Sequence, residues 1–167
     1  MKKALLCTLV LVTVAAAVSG QSLTAGIDSA LLKNSNSVIK EYHVTYDVKS
    51  PSNIEKRVKY SVVILNQGGR DEGDIQIYTD SDEKITSFSG SVRKNDGALQ
   101  TKMWLDDLES RPSYPDFVFL SDSKRHFYHP VIENYPYSVE YEYVLSLSGM
   151  LEFDPWFPVS DLFVACD

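Results

Sequence analysis

The residues able to do chemistry are few and scattered along the chain. His126 and His129 form an H-x-x-H pair, and His43 and Cys166 are the other soft ligands outside the N-terminal segment. A closed zinc site takes about four ligands. Residues three apart on a strand point to opposite faces, so the pair reads as ordinary strand-end histidines. Asp71-Glu72-Gly73-Asp74 and Asp80-Ser81-Asp82-Glu83 are dense in carboxylates, the oxygen ligands that calcium favours. Neither carries the full calcium-loop pattern, so both read as solvated turns. Glu140 and Glu142 share one face of a strand, as a glycosidase pair would, with no second motif beside them. Cys166 has no histidine after it, and no serine sits in a G-x-S-x-G turn. The expectation is therefore no catalytic residue, no metal ligand and no cofactor. Binding is the better prospect. Trp104, Trp156 and Phe157, among ten tyrosines, offer apolar rings on which sugars or peptides stack. Prolines flank Trp156-Phe157, which favours their exposure.

The elements that must position these groups read as strands. From Val139 to Leu147 every second residue is apolar or aromatic, while Glu140 and Glu142 open the alternate positions. That period makes one apolar face and one wetter face. Val38–Val48 carries Val38, Tyr42, Val44, Tyr46 and Val48 toward one face, with Lys40 as an exception. Val58–Asn66 follows, and Val63 and Leu65 break its alternation, which predicts cover on both faces. Asp74–Tyr78, Ile85–Arg93 and Leu99–Met103 are further strands, the last two joined by a hairpin at Asn95-Asp96-Gly97. Asp106–Asp116, with Pro112 and Pro115, reads as a long loop or a short turn of helix. Val118–Leu120, His126–Val131 and Phe163–Ala165 complete roughly nine short strands, the pattern of an all-β antiparallel sandwich. A short helix is expected within Ser22–Leu32.

Size and charge narrow the partners. A chain of 167 residues suffices for one domain with its own core. The formal net charge of −7 repels phosphate backbones, so nucleic acid is not an expected partner. Lys2 and Lys3, the apolar run Ala4–Ala17 and the small residues Ala17, Ser19 and Gly20 form an export signal. Cleavage near Gly20 leaves no stable membrane span. The expected organisation is a signal peptide over 1–20, a lead-in segment over 21–33 and a β-sandwich module over 34–167. Cys166 is then unpaired in the exported chain, an odd feature that suggests a longer protein.

Several motifs recur together in one family. They are Asn34-Ser35-Asn36-Ser37-Val38, the strand ending Ile64-Leu65-Asn66-Gln67, and Asn95-Asp96-Gly97. Ser121-Asp122 before Arg125, His129-Pro130 and Tyr137–Tyr143 complete the series. In order and spacing, over Asn34 to Val159, the chain resembles the N-terminal β-rich domain of unknown function in exported transglutaminase-like proteins of Bacteroidetes. The resemblance implies a sandwich-like front module followed by a transglutaminase-like domain of papain-like fold. That downstream domain would carry a Cys-His-Asp triad, and none of its catalytic residues maps onto this sequence. The implied role is non-catalytic: to position the catalytic domain, or to bind its peptide, protein or envelope substrate. The parent would be a cysteine protease or transferase, in the periplasm or on the outer surface of a Gram-negative cell. The alternative is a stand-alone module binding glycan or peptide.

Overall fold

The computed structural model describes residues 22–113, 122–132, 134–148 and 164–166. The signal segment, Val118–Leu120, Trp156 and Phe157 lie outside them. Among the described residues nine strands form two sheets. Strands β1 (Ser37–Ser50), β2 (Asn53–Ile64), β4 (Glu83–Lys94), β5 (Leu99–Trp104), β8 (Tyr137–Leu147) and β9 (Val164–Cys166) make a six-stranded sheet. Its spatial order is β5-β4-β8-β2-β1-β9. Strands β3 (Ile75–Thr79), β6 (Glu109–Pro112) and β7 (Lys124–Tyr128) make a second sheet in the order β3-β7-β6. All pairings are antiparallel except β9, which runs parallel to β1 over Ser37–Ile39. The fold is an all-β sandwich, as the strand pattern predicts.

The core lies between the sheets. Ile54, Val62 and Ile64 of β2, Ile75 and Ile77 of β3, Phe88 and Val92 of β4, and Val139, Leu145 and Leu147 of β8 are buried together. Burying each such side chain stabilises by about 1.5–3 kcal/mol. One cross-strand row of this face is Tyr42, Tyr60, Tyr141, Gly90 and Met103. Tyr42 and Tyr60 meet edge-to-face at 5.7 Å, and Tyr60 and Tyr141 lie 5.2 Å apart. A Cβ at Gly90 would sit 2.7 Å from Met103 Cε and 3.0 Å from the Glu140 carbonyl oxygen, so Met103 would have to shift to admit one.

Three local readings change. A register shift between Ile39 and Glu41 makes a bulge at Lys40, and a bulge inverts which face each residue takes. Val38 therefore leaves the Tyr42 face and packs on the other side, while Ile39 enters the main core. Val63 meets Val38 there, under Leu23, Ile27, Leu31, Leu32 and Leu65. The doubly apolar strand is thus covered on both faces, and the lead-in residues supply the second cover. Within them the helix is only Ser29–Lys33, with Asp28 Oδ1 accepting from the Ala30 amide at 2.9 Å. The third change is at Glu109–Pro112, expected as loop or helical turn. It is strand β6, at the edge of the small sheet. A proline is tolerated there because an edge strand need not donate every amide.

The turns follow their residue types. Gly97 has φ of +77° in the β4–β5 hairpin, a conformation open to glycine at no steric cost. Asp96 Oδ1 accepts from the Ala98 amide at 2.9 Å and fixes the same turn. No helix among the described residues is long and apolar enough to cross a membrane.

Candidate functional site

The outward face of the six-stranded sheet is built from the alternate residues of its strands. Strand register places Glu41, Ser61, Glu140, Ser91 and Lys102 in one row across it. The next row is His43, Lys59, Glu142, Ser89 and Trp104. Serines at Ser61, Ser89 and Ser91 are short, so they floor a trough between the longer side chains. The trough encloses about 460 Å³ and is walled by Glu41, Lys59, Arg93, Lys102, Glu140 and Trp104. Trp104 stands at its rim, 57% exposed.

Ion pairs fix the charges of this face. Lys59 Nζ lies 2.8 Å from Glu41 Oε1, and Arg57 Nη1 lies 2.7 Å from Glu142 Oε1. Arg93 Nε approaches Glu140 Oε2 at 3.9 Å. The hydrogen bond to Glu41 holds the Lys59 ammonium above its usual range. Glu140 and Glu142 do share a face, and each faces a cation from a neighbouring strand. Both are ion-paired, an arrangement that binds and orients. His43 approaches Glu41 at 3.9 Å and is not hydrogen-bonded to a serine of the trough. Among the described residues no nucleophile–base contact of the kind acyl transfer needs stands on this face.

The other histidines are engaged one at a time. His126 Nε2 meets Thr79 Oγ1 at 3.1 Å on the inward side of the small sheet. His129 Nδ1 lies 2.7 Å from Asp74 Oδ2. Burial lowers the His126 pKa from its usual value, and Lys124 adds to the effect. Among the described residues no group of three or more His, Cys, Asp or Glu is placed so that it could hold a metal ion.

Other hollows open among the described residues. One of about 610 Å³ sits by the β4–β5 turn, lined by Lys94, Asn95, Asp96 and Val131. Another, about 270 Å³, opens between the sheets, where Asp71, Glu72 and Asp74 face Tyr42, Tyr60 and Tyr141. Tyr60 donates to Glu72 Oε2 at 3.5 Å. Burial, with the nearby Glu72 carboxylate, raises the Tyr60 pKa, and burial raises that of Tyr141. Both phenols therefore stay protonated near neutral pH.

Of the residues the sequence singles out for binding, Trp104 stands exposed at a polar trough, while Trp156 and Phe157 lie outside the described residues. Sequence reasoning missed Lys59, Arg57 and Arg93, whose placement depends on which strands pair. It also missed Arg111 and Phe127, because β6 reads as loop.

No family model matches this sequence, and no curated protein matches it at significance. The fold is similar to part of a solved structure from Parabacteroides distasonis, of a protein proposed by its name to be a protease. The TM-score is 0.58 at 12% identity, over 68% of this chain and 23% of that one. At that identity the likeness concerns the fold alone. This chain matches less than a quarter of the length of that larger protein.

Proposed function

We propose that this chain is the non-catalytic front module of an exported transglutaminase-like protein, and that it recognises peptide or protein on behalf of a catalytic domain elsewhere in that protein. One observation carries the reading: a sandwich whose counterpart is a minor part of a much larger chain, from a protein proposed by its name to be a protease. The outward sheet face supports it. Its carboxylates are ion-paired, and its serines lack a base, so it is suited to holding a partner rather than transforming one. Peptidase and transamidase assays on the purified chain are expected to give no turnover above buffer. Turnover that follows the chain through purification would sink the proposal.

A second reading has its own support. Trp104 is exposed beside Glu142 and Ser89, an apolar ring next to hydrogen-bonding groups, as in many sugar-binding sites. On that reading the chain is a stand-alone periplasmic or surface module for glycan. A glycan and peptide array separates the two: glycan binding that is lost in Trp104→Ala favours the second, and peptide binding favours the first.

A further inference from the structure

The outward face of the small sheet differs in kind from that of the large one. Register aligns Tyr78, Arg125 and Arg111 in one row across β3, β7 and β6, and Gln76, Phe127 and Glu109 in the next. Phe127 points outward yet is only 6% exposed. The Arg111 and Arg125 guanidinium carbons lie 5.1 and 5.0 Å from its ring centroid, and the His129 ring lies 5.3 Å away. Two like charges directly opposite on antiparallel strands repel, and the chain as a whole carries net negative charge. Arg111 reaches one carboxylate, Glu109, at 3.0 Å. Arg125 has no carboxylate within ion-pair reach among the described residues, and its recorded contact is the Phe127 ring.

We infer that the Tyr78–Arg125–Arg111 row is a binding site for a single carboxylate, presented by a peptide. Packing on the Phe127 ring confines each guanidinium, and Arg125, with no carboxylate of its own among the described residues, can offer its N–H fork to a carboxylate in two parallel hydrogen bonds. A bound carboxylate also relieves the repulsion between the arginines. Tyr78, 56% exposed at the end of the row, gives an adjacent residue of the peptide an apolar surface. Glu109 beside Arg111 works against a long polyanion, which would set several negative charges against it; one carboxylate avoids that clash. The site is distinct from the Trp104 trough, and it stands or falls independently of whether the chain belongs to a larger protein.

The test is a titration of isotope-labelled chain followed through the arginine side-chain Nε–H resonances. Three probes serve: acetyl-Ala-Ala-Phe with a free carboxylate, the same peptide as its carboxamide, and acetyl-Ala-Glu-Phe carboxamide. The Arg111 and Arg125 resonances are expected to move and saturate with a carboxylate-bearing probe. The first and third probes tell a chain terminus from an acidic side chain. Amidation of the first, or Arg125→Gln, is expected to weaken binding by about tenfold or more. Arg125→Lys, which keeps the charge and loses the fork, is expected to recover only part of that loss. Equal response to acid and amide, or binding unchanged in Arg125→Gln, would overturn the inference. So would a polygalacturonate that binds these arginines more tightly than the peptides.

Discussion

The two outward sheet faces solve one problem differently. On the large sheet each of three cations faces a carboxylate from a neighbouring strand: Lys59 with Glu41, Arg57 with Glu142, Arg93 with Glu140. On the small sheet two arginines sit side by side over a buried phenylalanine, and one of them meets no carboxylate among the described residues. On the first face these three cations are matched, and Lys102 is an exception among its described residues. The second carries charge that its own chain does not neutralise. Paired charges keep a sheet soluble and fix its register, whereas a guanidinium without a carboxylate, held on an aromatic shelf beside a second one, has charge to offer a partner.

Substitutions can break or sharpen that contrast. The largest effect is expected at Phe127→Ala, which removes a buried ring and the shelf under both arginines. Stability measured by urea unfolding should fall by about 3–5 kcal/mol. A loss under 1 kcal/mol, on the order of a surface change, would mean that Phe127 does not organise the face. Glu142→Gln tests the paired face, leaving Arg57 without its charge partner. Both groups are about half exposed, so the same measurement should show a loss of no more than about 1 kcal/mol, shrinking in high salt. A larger, salt-insensitive loss would show that the pair is built into the fold. Trp104→Ala should change stability by less than about 0.5 kcal/mol, since the ring is exposed at an edge strand. Any effect on binding at that residue is then recognition, not folding.

The smallest effect is a pH dependence from the inward side of the same strand that bears Arg125. The folded state lowers the His126 pKa through burial and then Lys124. The neutral ring is thus favoured in the fold, and the contribution is fully present above the ordinary value of 6.5. It declines as pH falls from there toward the lower folded value, because the unfolded chain takes up the proton first. The melting temperature should drop over that window, and His126→Gln should flatten the drop. An identical slope in the variant would assign it to other groups.

Much of the fold is legible in residue order. Alternation through Val139–Leu147, the Asn95-Asp96-Gly97 turn and the doubly apolar Val63 and Leu65 each lead to the structure found. Val38 and Glu109–Pro112 do not. A bulge at Lys40 reverses the side on which Val38 lands, and a bulge is fixed by pairing with β2, not by local pattern. Strand β6 is short, exposed and ends in proline, so its strand character comes from β7 rather than from its own composition. The candidate sites are legible only in part for the same reason. Trp104 announces itself as a residue type. The arginine row requires that Arg111 and Arg125, from a stretch read as loop and a strand beyond it, be laid opposite one another.

The proposal that this chain serves a larger exported protein has one direct measurement, the reading frame that follows the Asp167 codon in undamaged genomic sequence. The expected result is a continuous frame encoding a transglutaminase-like domain with its cysteine, histidine and aspartate. A stop codon immediately after Asp167, with no such domain downstream, would contradict the proposal and leave the stand-alone binding module in its place.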